Sequence, residues 1–529
     1  MEPLFAGLDV STQSCKLVVI SPAQGAVLHV DRVDYDRDLP KYGTVNGATA
    51  GLPEGASESD PAMWIEAVEL LLGRLGAAGV SEGAIRCISV SGQQHGLVAL
   101  DARGQLARPR AKLWNDFSTT EECRILTDAV GGPEAMIAEV GNTQRTGYTA
   151  PKILHLRRHE PDVYAKARTL FLVHNYVNWW LTGGGDGGVA VMEPGDTSGM
   201  ALWHPASEHW SSRVMSAIDP DLPSKLPPLQ PSDRTIGAVG RGLVMRYGFA
   251  PECRVDAGSG DNMYGAVGTG NVEPGLVTVS LGTSGTAATV LDSPYIDPSG
   301  EIAAFRDSTG RHLPLLCVSN MANGYDEVRE RLGLTHQAFD ELVDREPPGN
   351  RGKVLLPWFV GERTPDVPEA TPVAFGFDLK NVEPAALCRA VLEGAVLNLY
   401  DGFKRMPCRP REIRLTGGLS SSPSWCRTIA DVFGIETIPV QGEGAALGAA
   451  IHAAWVWRKE SGDSRSLAEV AAPFIVLEES RRSRPRPEYR HAHVLLNKLF
   501  QALSRRVRGL SGEDPFALRK QLLGLHQGE

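Results

Sequence analysis

Phe5-Ala6-Gly7-Leu8-Asp9-Val10-Ser11-Thr12-Gln13-Ser14-Cys15-Lys16-Leu17-Val18-Val19-Ile20 sets two apolar, β-branched runs around a short polar turn. That pattern predicts a β-hairpin. The theme returns further along: Val277 to Leu281 predicts a strand, Gly282-Thr283-Ser284-Gly285 a turn, and Thr286 to Val290 the returning strand. Two such hairpins hint at internal duplication, although Gly-Thr-Ser turns are common in themselves.

Working outward, Ile85 to Leu100 is strand-rich and broken by Ser91-Gly92-Gln93-Gln94-His95-Gly96. Pro61 to Leu75 has apolar residues at helical spacing, with Asp60 as N-cap and Pro61 in the first turn. Strands alternating with helices argue for an α/β architecture. Asn271 to Gly275 reads as a boundary, and Pro384 to Phe403 as a long helix whose Ala385, Ala386, Ala390, Gly394 and Ala395 permit close packing. Arg481 to Pro487 is a basic, proline-punctuated link, most simply a solvated one, before an amphipathic helix from His491 to Arg508. The expected division is a first domain over 1–270, a second over 271–457 and a helical tail over 458–529. A lid over 36–57 and a disordered end after Arg505 are the expectations for the remainder.

The length of 529 residues argues for at least two domains, and 42% hydrophobic against 22% charged residues excludes a largely disordered chain. Lys plus Arg (53) against Asp plus Glu (63) leaves a formal charge of −10, unsuited to sequence-independent nucleic-acid binding. Cys15, Cys87, Cys123, Cys253, Cys317, Cys388, Cys408 and Cys426 are scattered without a CxxC pair, so they read as reduced thiols. The start has no basic region ahead of its apolar run, and no stretch approaches the ~18 apolar residues of a membrane span. A cytoplasmic protein without nucleic-acid or membrane partners is the expectation.

A turn of small hydroxyl residues aims backbone N–H groups at one spot, which suits a phosphate. Asp9 would sit beside such a phosphate with room for magnesium, which takes one or two carboxylates, waters and phosphate oxygens. Asp9 and Ser11 would equally stabilise a turn through local hydrogen bonds. Val255 to Tyr264 runs from a strand into a helix, placing Asp261 where α/β folds hold ligands. There it could take a proton from an attacking hydroxyl, or simply cap the helix. Gln94 and His95, amide and imidazole between glycines, could bind polyol hydroxyls; a structural histidine is the plainer alternative. Trp114-Asn115-Asp116 sets an aromatic face beside polar groups, suiting a sugar or a core. Gly417-Gly418, with Ser420, Ser421 and Ser422, makes a glycine corner that could let backbone approach a nucleotide or serve only as a turn.

Taken in order, nine segments resemble the FGGY carbohydrate kinases. They are Gly7 to Ser14, Ser91 to Gly96, Leu113 to Asp116, Gly147 to Ile153, Gly260-Asp261-Asn262, Ser280 to Gly285, Gly361-Glu362-Arg363-Thr364-Pro365, Arg389 to Gly394 and Thr416-Gly417-Gly418. The resemblance runs from about Leu4 to about Leu503. It implies two ribonuclease-H-like, actin-like ATPase domains with a cleft between them, and transfer from ATP and Mg2+ to a sugar or polyol hydroxyl. It further implies Asp261 as catalytic base and substrate contact, Asn262, Gln94 and His95 as substrate contacts, and Trp114 and Asn115 in the same pocket. Thr12, Gln13 and Ser14, with Gly282, Thr283 and Ser284, would be the phosphate turns. Gly417, Gly418 and Ser422 would lie on the adenosine side, and Asp9 would hold Mg2+ through water.

Within the family, the Gln-His-Gly loop, Trp-Asn-Asp and Gly-Glu-Arg-Thr-Pro favour members that phosphorylate D-xylulose at its C5 hydroxyl, feeding the pentose phosphate pathway. Ribulose, sedoheptulose or an alditol are the alternatives, as is an actin-like ATP-dependent sensor or assembly protein. The family suggests a homodimer. His155 stands where its first signature usually has Trp, Gln94 where bacterial relatives often have Met, and Ser420-Ser421-Ser422 replaces a Gly-Ala-containing turn.

Overall fold

The computed structural model describes residues 2–525 apart from Leu379 and Glu443. Contacts divide the chain into one unit of Met1–Val272, Leu291–Leu313 and Gly442–Ile475, and another of Glu273–Val290, Pro314–Gln441 and Val476–Glu529. Segments 291–313 and 442–475 return to the first unit after its long opening stretch.

In the first unit, β1 (Leu4–Val10) pairs antiparallel with β2 (Ser14–Ser21), and β2 with β3 (Ala26–Asp34). On its other side β1 pairs in parallel with β4 (Ile85–Gly92). With β5 (Thr235–Ala238) and β6 (Arg254–Asp256), the order is β5-β6-β4-β1-β2-β3. Phe5, Ala6, Leu8 and Val10 are buried, which is why β1 reads as an unbroken apolar run instead of an alternating one: it is covered on both faces. The predicted helix forms over Pro61–Arg74, with Asp60 accepting from Ala62 N at 2.8 Å.

The helix Gly444–Glu460 closes one face of this sheet. Phe5, Val18 and Ile20 share a buried cluster with Leu447, Ile451 and Val456, each large apolar side chain contributing about 1.5–3 kcal/mol by burial. Backbone approach here is closer than a side chain permits: a Cβ on Gly7 would lie 2.1 Å from Ala446 O, and one on Gly448 1.9 Å from Tyr264 O.

In the second unit, β7 (Leu276–Leu281) and β8 (Gly285–Thr289) form the second predicted hairpin. β8 pairs antiparallel with β9 (His312–Val318) through residues 315–318. β7 pairs in parallel with β10 (Glu412–Thr416), β10 in parallel with β11 (Thr437–Gln441), and β11 antiparallel with β12 (Val476–Leu477). Strand for strand, the senses repeat those of the first sheet. The hint of duplication is thereby made good. The helix Pro384–Phe403 has the predicted bounds, and its Gly394 lets Leu355 O within 2.3 Å of where a Cβ would sit.

Two expectations are corrected. Arg481 to Pro487 is no solvated linker: Arg482 pairs with Glu412 at 2.9 Å, Arg484 with Glu436 at 3.0 Å and Arg486 with Asp431 at 2.6 Å. The residues after Arg505 continue the helix Arg490–Val507 and form a second, Pro515–Leu525. Within the 36–57 insert, Asp36 accepts from Thr44 Oγ1 at 2.7 Å and Gly47 N at 3.1 Å, and Ser59 Oγ donates to Gly47 O. Among the described residues no helix is long and apolar enough to cross a membrane, and the eight cysteines are free.

Candidate active site

The first turn is braced from several sides. Asp9, next to last in β1, lies opposite Ser91 of β4, and accepts from Ser91 Oγ at 2.8 Å and Ser11 Oγ at 3.3 Å. Burial raises its carboxyl above the ordinary value, against those donors and the Lys16 charge. Thr12 Oγ1 accepts from Trp114 Nε1 at 3.0 Å and donates to Gln93 Oε1 at 3.1 Å. Trp114, 38% exposed, therefore has its polar edge committed to Thr12. The Gln13 carbonyl accepts from Tyr35 N, and Ser14 begins β2. Asn115 Oδ1 is buried without a partner among the described residues, whereas Asp116 is consumed by Ser57 N, Ser118 and Lys112.

Asp261 is the first residue of the helix Asp261–Gly268, whose N-cap is Gly260. The capping alternative is therefore set aside. Burial first, then the charges of Asp9 and Asp196, raise its carboxyl to about 8. Asn262 Nδ2 donates both to Asp261 Oδ1 at 3.1 Å and to Gln94 Oε1 at 2.7 Å. Gln94 Nε2 in turn reaches Asp196 Oδ1 at 3.4 Å.

His95 occupies left-handed backbone (φ 66°), a sparsely populated conformation for a non-glycine residue. Its carbonyl is held there by Lys152 Nζ at 2.9 Å and Thr149 Oγ1 at 3.2 Å. Burial drives the His95 ring down to about 3, so it is neutral. The ring is hydrogen-bonded to the Gly199 backbone, and a Cβ on Gly199 would lie 2.7 Å from its Nδ1. Burial likewise pulls Lys152 down to about 7.

Sequence reasoning passed over the support behind these groups. Asp196, His174 and Glu193 are fully buried; His174 Nδ1 lies 3.1 Å from Asp196 Oδ2. Glu193 accepts from Gly195 N and Asp196 N at 2.6 Å each. The Glu193-Pro194 start of a short helix was the one available signal, a cap before a first-turn proline. A second chain links Ser89 Oγ to Tyr264 OH at 2.7 Å, Tyr264 to His452 Nδ1 at 3.1 Å, and His452 to Asp256 at 2.8 Å.

In the second unit a cavity of about 820 Å³ is lined by four of the other predicted residues, Gly282 and Thr283 of the turn and Gly418 and Ser422 of the glycine corner, but not by Ser284 or Gly417. Gly282 O and Thr283 O accept from Ala322 N and Met321 N, while the N–H groups of Gly282, Thr283 and Ser284 donate to no described residue. Gly417 has φ 85°, and a Cβ there would lie 2.6 Å from Leu281 O, so the corner must be glycine. Ser422 caps the helix Pro423–Phe433 through Trp425 N and donates to Asp340 at 2.7 Å.

Residues 4–268 match the FGGY family of carbohydrate kinases, N-terminal domain, and residues 277–457 match its C-terminal domain. The chain belongs to that family. This FGGY kinase is therefore a phosphotransferase that uses ATP on a carbohydrate. It is 34% identical to the xylulose kinase of Haemophilus influenzae over 91% of this chain and 95% of that one. The crystal structure of xylulose kinase from Bifidobacterium adolescentis covers 93% of this chain and 99% of its own, at TM-score 0.77 and 26% identity. The gluconate kinase structure from Lactobacillus acidophilus shares the fold at TM-score 0.84 and 21% identity, over 96% and 98%.

Proposed function

We propose that this FGGY kinase transfers the γ-phosphoryl group of ATP to the C5 hydroxyl of D-xylulose. The observation that carries the reading is Asp261, a carboxylate raised to about 8 at a helix start, with Asn262 bonded to it. A base of that strength can take the proton of a sugar hydroxyl as its oxygen forms a bond to phosphorus and the bond from phosphorus to the ADP oxygen breaks. The 34% identity to a xylulose kinase over nearly the whole chain supports the choice of sugar.

His95, Asn115 and Asn262 take the roles of hydroxyl partners in this reading, and the Trp114 face covers the apolar side of the sugar. Gln94 completes the same wall. On the nucleotide side, the free N–H groups of Gly282, Thr283 and Ser284 and the N–H groups of the Thr12-Gln13-Ser14 turn hold phosphate oxygens. Gly417, Gly418 and Ser422 border the adenosine.

Among the described residues no three His, Cys, Asp or Glu side chains gather as metal ligands. A single carboxylate, Asp9, flanked by two serine hydroxyls, nevertheless fits Mg2+, which completes its shell with waters and phosphate oxygens. Bound there, Mg2+ would neutralise phosphate charge. Asp9 and Asp261 would keep separate duties, the first orienting water and metal, the second holding the sugar proton.

The fold alone does not choose the sugar, since a gluconate kinase shares it. The reading extends to a homodimer in the cytoplasm, which sedimentation of the purified chain and fractionation of cells would check. The deciding test is ADP release over D-xylulose, D- and L-ribulose, sedoheptulose, ribitol, xylitol, gluconate and glycerol. Selective turnover with D-xylulose, lost in Asp261→Ala, supports the proposal. Preference for another sugar keeps the kinase and replaces the substrate; no sugar-dependent ADP release rejects both.

A further inference from the structure

Gln94 is 3% exposed, and both ends of its amide are engaged by protein. Their polarity is fixed from behind. Asp196 as a carboxylate can only accept, so the hydrogen shared with His174 belongs to Nδ1 and the group facing Asp196 Oδ1 must be Gln94 Nε2. That leaves Gln94 Oε1 toward Asn262, so Asn262 must present Nδ2, at 2.7 Å. The second hydrogen of the same Nδ2 then falls on Asp261 Oδ1, at 3.1 Å. A Cβ on Gly260 would lie 2.6 Å from Gln94 Cγ, so the Gln94 stem also props the corner from which Asp261 starts.

We propose that Asp196 and Gln94 are positioning residues that set the orientation of Asn262 and, through it, of the Asp261 carboxylate, and that the Gln94 amide is not a ligand of the sugar. This rests on the kinase reading above and adds to it a role for Asp196, which touches no reacting atom. A hydrogen-bond chain with one direction is sensitive to reversal at its far end. In Asp196→Asn, the His174 Nδ1 hydrogen still demands an acceptor, so the introduced amide keeps its oxygen there and turns its NH2 group to Gln94. Gln94 then answers with Oε1, presents Nε2 to Asn262, and Asn262 turns its own oxygen toward Asp261. With Asp261 ionised, as a base must be, two oxygens then oppose each other where a donor and an acceptor met.

The experiment is a double-mutant cycle of Gln94→Met and Asp196→Asn, measured with whichever sugar the wild type turns over best. Each single variant is expected to lower kcat by roughly 10–100-fold with the sugar KM within about threefold, the scale of a misplaced reacting group. The double variant is expected to be no worse than Gln94→Met alone, because the path is already cut. A Gln94→Met protein with unchanged kcat and a sugar KM raised tenfold or more would make Gln94 a sugar ligand and overturn the proposal. So would effects that multiply in the double variant. Should Asp196→Asn fail to fold, the cycle of Gln94→Met with Asn262→Ala replaces it, with the same non-additivity expected.

A second readout needs no turnover. In protein with 15N-labelled asparagine, Asp196→Asn should move the Asn262 side-chain amide signal when Gln94 is present and leave it in place in the Gln94→Met background. A wild type inactive on every sugar would reject the kinase reading alone, and these spectra would still decide the relay. An Asn262 signal indifferent to Asp196 in both backgrounds ends it.

Discussion

The two hairpins stand at matching places in matching sheets, yet they are chemically unlike. In the first, Asp9 lies one pair before the turn, opposite Lys16 and beside Ser91. In the second, the residue one pair before the turn is Ser280, opposite Thr286 and beside Thr416. One hairpin thus brings a carboxylate to its turn and the other only hydroxyls. Bracing differs as well: Thr12 is tied by side chains to Gln93 and Trp114, whereas Gly282 and Thr283 are tied by their carbonyls, leaving their N–H groups for an anion. The same frame occurs twice, and a single register position separates a turn that carries a carboxylate from one that carries only hydroxyls.

The largest effect should come from the group next to the charged hairpin. Asp261→Ala is expected to lower kcat by ~10²–10⁴-fold with ATP binding retained, read by steady-state kinetics and nucleotide titration. Exchanging the hairpins' characters tests the comparison itself. Asp9→Ser should lower kcat by roughly 10²-fold, partly restored by raised Mg2+. Ser280→Asp should instead raise the ATP KM by about tenfold, or ~1.4 kcal/mol, and leave the sugar KM alone. Equal effects on both substrates in either variant would break the proposed division.

The next prediction concerns pH. Asp261 is raised from 3.8 to about 8, so between those values the folded chain holds a proton that the unfolded chain releases. The wild type should therefore lose stability relative to Asp261→Asn as pH climbs from about 4 toward 8, and kcat/KM for the sugar should fall below about pH 8. Parallel Tm curves for the two proteins across that range would contradict it. The smallest pair lies in the glycine corner. Gly417→Ala, at φ 85° and against Leu281 O, should cost about 1–3 kcal/mol and weaken ATP binding, while Gly418→Ala, with open space, should stay within about 0.5 kcal/mol.

What the sequence made legible was local. Apolar runs around a turn, a proline after Asp60, and small residues spaced along Pro384–Phe403 are short-range signals, and the corresponding elements lie within a residue or so of their expected bounds. The candidate ligands were legible because they cluster in short motifs. What lay hidden depends on residues far apart in the chain. Asp196 meets Gln94 across 102 positions, and His452 meets Asp256 across 196. Neither pair has a spacing to read. The arginines at 482, 484 and 486 misled for the same reason, since their acids lie at Glu412, Asp431 and Glu436.

The helix Gly444–Glu460 has a consequence for how the chain is made. It belongs to the first unit, yet the ribosome delivers it only after most of the second has been synthesised. Until then Phe5, Val18 and Ile20 lack the Leu447, Ile451 and Val456 that cover them, and the backbone of Gly7 has no Ala446 to meet. The nascent first unit must wait with an apolar sheet face uncovered, a state that invites aggregation or a chaperone. The fragment 1–272 is accordingly no free-standing domain: the half that starts first stays incomplete until residues 442–475 emerge, after most of the other half has been made.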